Sequence, residues 1–169
     1  MDDINVIHRA DDAFAILIRD HVIHIDQPFS AGGMDAGPTP AEVFVAGLAA
    51  CAAHYGRRYL ASHGLPSQGL EVHARFTMSA SAPSRITRVE LSVVPPIGMP
   101  GSYEEGLRAS VERCPLHNTL LVPPQVAIEP VLRERRGTGT GDTAAPAGSR
   151  GGEGATGGVT DLGAVGARR

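Results

Sequence analysis

The chain has 169 residues, a formal net charge of -3 at pH 7 and 42% hydrophobic residues, enough for one domain with a real core. All fifteen basic side chains are Arg, set against 18 Asp and Glu, so there is no basic excess of the kind that nucleic-acid binding uses. No apolar run reaches the ~18 residues of a membrane span, and no apolar stretch follows Met1-Asp2-Asp3 as a signal peptide requires. A cytoplasmic protein without nucleic acid or membrane as partner is expected. There, two cysteines are reactive, ligating or simply buried rather than a structural staple.

The first segment, INVIHRADDAFAILIRDHVIHID, predicts two or three short strands, with Arg19-Asp20 at a hairpin turn. QPFSAGGMDAGPTP, residues 27–40, reads as a loop. TPAE opens a helix: Thr39 is a good N-cap, Pro40 suits the first helical position, and Glu42 completes a capping box. That helix runs to His63, with Gly64 as its stop, and would be about 35 Å long. Phe44, Leu48, Cys51 and Tyr55 recur at helical spacing and predict one apolar stripe carrying Cys51. Gly47, Ala49, Ala50, Ala52 and Ala53 leave little bulk around it, so another backbone can approach.

GLEVHARFTMSA and ITRVELSVVPP alternate with period 2 and predict two strands about a turn near Pro83-Ser84. SYEEGLRASVERC predicts a second helix with Ser102 as N-cap and Glu105 three residues later. CPLHNTLLVPP begins a new short helix at Cys114-Pro115, and QVAIEPVLRE predicts a final strand. Residues 137–169 are Gly-rich with almost nothing to bury, and read as a disordered tail behind a domain of residues 1–136. Strands, a long helix, strands, helices and a strand make an α+β domain rather than an alternating α/β one.

Each cysteine has a histidine three residues on: Cys51 with His54, and Cys114 with His117. Redox chemistry is one reading, since a thiolate is the nucleophile and a helix N-terminus, which Cys114 could occupy, favours it. A four-donor zinc site is another, although one pair then lies inside a long helix. The plain alternative is that both cysteines are core residues, as free Cys often is. In the same plain terms His54 and His117 are hydrogen-bonded structural histidines, Glu42 is a cap, Arg57 and Arg58 are a solvated face, and the AGGMDAG glycines form turns.

Together, GGMDAGPTPAEVFVAGLAAC, HYGRRYLASHGL, RITRVELSVV and RCPLHNTLLVPPQVAI resemble the OsmC family, which includes the organic hydroperoxide resistance proteins, over roughly residues 13–132. The resemblance implies a curved antiparallel sheet packed around long central helices, and an intertwined homodimer with its active sites at the interface. It implies a thiol-dependent peroxidase that needs no metal, haem, flavin or other cofactor. Cys51 matches the peroxidatic cysteine, which an organic hydroperoxide oxidises to a sulfenic acid. Cys114 matches the resolving cysteine, which closes a Cys51–Cys114 disulfide that a dithiol reductant, of lipoyl or another type, reopens.

In the best-characterised branch an Arg from the N-terminal strands pairs with the thiolate and a Glu at the start of the long helix orients it. Arg19, with Arg9 behind it, and Glu42 are the matching candidates, and His54 and His117 are possible supports. The match departs from the family there, because Ala41 follows Pro40 where the family has the Glu. Nine residues on a helix turn through about 180°, which sets Glu42 and Cys51 on opposite faces. Two further functions therefore stand beside the peroxidase. One is a catalytically weak binding or stress-response protein holding an apolar ligand at the dimer interface. The other is a metal site built from the two Cys-x-x-His pairs.

Overall fold

Three antiparallel strands open the chain in the computed structural model, which describes residues 3–132: β1 (Ile4–Ala10), β2 (Ala13–Ile18) and β3 (His21–Ile25), ordered β1-β2-β3. Both connections are two residues long. Their first residues, Asp11 and Arg19, take positive φ values of 47° and 53°, the twist that tight hairpins need. The register pairs Ile4 with Ile18, Val6 with Ile16 and Ile16 with Ile23, so one face of this sheet is almost wholly apolar. Yet β1 is exposed along its whole length, with Ile4 61% and Val6 57% accessible.

The long helix α1 (Pro40–Ser62) begins at a complete capping box, in which the Thr39 side chain accepts from Glu42 N and the Glu42 carboxylate accepts from Thr39 N. It ends where Gly64 turns left-handed at φ 68°. Its buried residues are Val45, Leu48, Ala52, Gly56 and Leu60. The stripe through Phe44, Cys51 and Tyr55 expected from spacing is therefore displaced about one position around the helix. Leu48 alone is shared; Cys51 and Tyr55 are half-buried and Phe44 is exposed. The reason is that the small side chains of Ala52 and Gly56, not the larger ones, let the neighbouring elements come close.

Those neighbours are a second sheet, β4 (Glu71–Met78) with β5 (Ile86–Val94), and the helices α2 (Glu104–Glu112) and α3 (Pro115–Leu121). Val72, Ala74 and Phe76 face Val93, Leu91 and Val89 in register and form the half-buried side of the pair, while Glu71, His73 and Arg75 are exposed. The β4–β5 turn is pinned by Ser79, whose hydroxyl donates to Pro83 O and accepts from Arg85 N, both at 3.1 Å. On the other flank, a Cβ at Gly106 of α2 would lie 2.1 Å from Tyr59 Oη, so α1 and α2 meet at a glycine. Ser110 Oγ also donates to Tyr55 O at 3.1 Å.

Two expectations about the elements need correction. Ser102 does not cap α2: it lies inside a 3-10 turn, Gly101–Tyr103, and Tyr103 precedes the helix without a side-chain bond. The final strand expected at QVAIEPVLRE is not formed over residues 125–132, where among the described residues no strand pairs with it. The first compact unit is Met1–Ala127; of the second, Ile128–Arg169, the described residues carry neither helix nor strand. The Gly-rich stretch 137–169 lies outside the described residues. Among those described, no helix is long and apolar enough to cross a membrane.

Candidate active site

Cys51 is carried by the middle of α1, on the edge of its buried face, and is half-buried. Cys114 stands at the elbow between α2 and α3, is 0% exposed, and is the N-cap of α3. Pro115 at the first helical position explains the break: it cannot continue α2, but its fixed φ starts a new helix. The fold brings the two free thiols together, although 62 residues of sequence separate them.

Burial pushes the Cys114 thiol above its ordinary value, and the neighbouring Cys51 thiol adds to the rise. The backbone N–H groups of His117 and Leu116 oppose it; His117 N lies 3.3 Å from Cys114 Sγ. Burial and Cys51 therefore disfavour ionisation of Cys114, while the two backbone donors favour it. Two thiols so placed can exchange for a disulfide.

An open groove of about 1780 Å³ runs between α1, β5, α2 and α3. Phe44, Leu48, Val89, Leu91 and Leu107 line its apolar wall, and Cys114 and His117 stand in it. It is large enough, and apolar enough, for an alkyl chain.

The remaining candidates are distributed less simply. Glu42 is committed to the cap: its Oε2 accepts from Thr39 N at 2.7 Å and from Thr39 Oγ1 at 2.9 Å. These donors hold its carboxyl below the usual carboxylate range. Nine residues, about 13 Å along the axis, separate it from Cys51, on the opposite face of an ideal helix. Arg19 is exposed in the β2–β3 turn and, among the described residues, makes no hydrogen bond to the Cys51 sulfur. Arg9 is exposed on β1. The physical reason is that β1–β3 pair chiefly with one another, while α1 packs on β4, β5, α2 and α3.

His54 is exposed and stacks edge-on with Tyr55, with ring centres 5.8 Å apart. His117 is half-buried, and its Nδ1 bonds Glu112 O at 2.8 Å. Among the described residues no three metal-ligating side chains gather, so the two Cys-x-x-His pairs do not form a four-donor set.

Two sets of hydrogen bonds were not foreseen from the sequence. Asn118 Nδ2 donates to Arg113 O at 3.2 Å, at the elbow that carries Cys114. Asp26, only 2% exposed, accepts from the backbone N–H of Gln27, Met34 and Ala36 at 2.7, 3.0 and 3.1 Å. The Ala36 donor is the largest cause that holds its carboxyl below the ordinary range. Asp26 thereby folds the Gly-rich loop that delivers α1. An Asp at the end of a strand, just before a loop rich in free N–H groups, was the available signal.

A family model described as OsmC-like protein matches residues 32–129. No curated protein matches the chain. Among solved structures, an osmotic-stress-induced and detoxification response protein from Psychrobacter arcticus aligns with a TM-score of 0.65 at 16% identity, covering 70% of this chain and 88% of its own. An OsmC-like protein from Mycoplasma pneumoniae aligns at 0.62 and 19% identity, covering 72% and 87%. The organic hydroperoxide resistance protein OhrB of Bacillus subtilis aligns at 0.52 and 21%, covering 69% and 89%. At these identities the likeness is one of fold.

Proposed function

The chain belongs to the OsmC-like protein family, and on that premise we propose that it is a thiol peroxidase for organic hydroperoxides. The observation that carries this reading is the meeting of Cys51 and Cys114, of which Cys114 lines an apolar groove. The Cys51 thiolate attacks the O–O bond, releases the alcohol and becomes a sulfenic acid. Cys114 then attacks the sulfenic sulfur; the S–S bond forms and the oxygen leaves as water. A dithiol reductant reopens the disulfide by exchange. No metal or organic cofactor is required for any step.

The active form in this reading is a homodimer. The apolar face of β1–β3 needs a cover, and among the described residues Arg19 makes no hydrogen bond to Cys51 within its own chain. A second chain supplies the cover and the contact if its N-terminal sheet closes over α1, bringing Arg19 to the partner's thiol. A second function is favoured by a specific observation: Glu42 Oε2 is held by Thr39 and, among the described residues, no Arg forms an ion pair with Glu42. An apolar ligand in the groove, with little catalysis, would suit that arrangement.

The deciding experiment counts thiols on the reduced protein before and after one equivalent of cumene hydroperoxide. The peroxidase is expected to lose both within seconds and form a Cys51–Cys114 disulfide. Cys51→Ser should be inert, and Cys114→Ser should stop at the sulfenic acid. Survival of both thiols for minutes would reject peroxidase chemistry in favour of ligand binding.

A further inference from the structure

The elbow that carries Cys114 is tied by two side chains from the helix it begins. His117 Nδ1 meets Glu112 O at 2.8 Å, which makes that nitrogen the protonated one, and Asn118 Nδ2 donates to Arg113 O at 3.2 Å. Glu112 ends α2 and Arg113 is its C-cap, so these are carbonyls for which the helix has no donor of its own. The backbone closes the same elbow: Cys114 N donates to Val111 O at 3.0 Å and Asn118 N to Cys114 O at 3.1 Å. The cysteine is thus enclosed between the end of one helix and the start of the next. The side chains locking the two ends lie three and four residues beyond it.

We infer that His117 and Asn118 are positioning residues that hold Cys114 within reach of Cys51 by binding the last carbonyls of α2. The inference rests on the reading of the two cysteines as a redox pair. A disulfide tolerates Cα separations of only about 4.4–6.8 Å. Cys51 rides on α1, a different element, so once α2 is packed on α1 the elbow sets how Cys114 meets it. Loosening the elbow by an ångström lowers the effective concentration of one thiol at the other without removing either.

The test equilibrates the full chain with mixtures of oxidised and reduced dithiothreitol. The two cysteines give two electrons and two protons to the oxidised reagent, which becomes the dithiol, and alkylation followed by mass measurement counts the protein disulfide. Asn118→Asp keeps the shape and removes the donor. His117→Ala removes the other donor, and His117→Asn restores a nitrogen at the δ position. Thr119→Ala breaks a bond inside α3, from Thr119 Oγ1 to Pro115 O at 2.8 Å, without touching the elbow.

Asn118→Asp and His117→Ala are expected to lower the disulfide equilibrium constant about tenfold. His117→Asn and Thr119→Ala should stay within about twofold of the wild type. A merely stabilising role for α3 would move Thr119→Ala as well, and that result would overturn the inference. So would an unchanged constant in Asn118→Asp and His117→Ala, or a wild type that forms no disulfide in any mixture. Should Asn118→Asp fail to fold, the contrast between His117→Ala and His117→Asn decides alone. Wild type exposed to cumene hydroperoxide in parallel separates the two readings. Loss of the peroxide reaction with the variant effects intact rejects the peroxidase and keeps the positioning role.

Discussion

Asp26 shows how much one side chain can organise here. Its carboxylate collects three backbone donors from a loop that has almost no side-chain bulk of its own. Asn at this position offers one acceptor oxygen and turns an N–H₂ toward the same donors, so Asp26→Asn should lower the melting temperature by several degrees. Both Asp26 and Glu42 have carboxyls held below their ordinary range, so each contributes stability that is fully present above the unfolded value near ~4. That stability is lost as the pH falls through the lower, folded value. Acid melting curves should therefore flatten in Asp26→Asn relative to the wild type; an identical pH slope would exclude the carboxylate as a contributor. The two thiols should also differ in access. Iodoacetamide is expected to alkylate half-buried Cys51 well before fully buried Cys114, read by peptide mass over time.

Among the elements, the decisive one is α1, whose contacts reach β4, β5, α2 and α3. Leu60 is fully buried, and Leu60→Ala should cost about 2–5 kcal/mol in a denaturant titration, the range for a cavity in a packed core. Phe44→Ala, at a site 51% exposed, should change the stability of the separated chain by much less. The loop before α1 is equally intolerant for a different reason. A Cβ at Gly33 would lie 2.0 Å from Gln27 O, and one at Gly37 2.5 Å from His24 O. Backbone cannot yield as a flexible side chain can, so Gly37→Ala should destabilise by roughly 1–3 kcal/mol. A neutral result would mean that the loop has room to move away from β3.

At the scale of the whole molecule, the described residues leave many large aliphatic side chains exposed. Val22 is 56% exposed and Ile4 61%, on opposite faces of the N-terminal sheet, and Leu121 is 67% exposed at the far end of α3. Isolated exposed aliphatics are ordinary, but these extend over a sheet and a helix end. Sedimentation is expected to give a dimer, and Val6→Asp, in the middle of β1, should shift it toward monomer. If Arg19 acts across that interface, the same variant loses hydroperoxide turnover in proportion to its loss of dimer. A wild type that stays monomeric at high concentration would leave the exposed sheet without this explanation.

Much of the local structure was legible because it is specified by neighbours in the chain. Thr39-Pro40-Ala41-Glu42 made the capping box and Cys114-Pro115 made the helix break through contacts within a few residues, and period-2 alternation marked β4 and β5, which one hairpin pairs. The same locality explains the failures. Ser102 had the residue type of a cap, but the 3-10 turn put it one step too early. QVAIEPVLRE had the composition of a strand, but a strand exists only against another strand. The apolar stripe of α1 was assigned by helical spacing through Phe44, Cys51 and Tyr55, whereas the packing buried Val45, Ala52, Gly56 and Leu60 beside the shared Leu48. The sequence could name Cys51 and Cys114; that their thiols meet depended on α2 and α3 folding back over α1. Where the Arg19 turn sits relative to α1 was likewise not legible, because a sheet's placement is a property of the assembled chain.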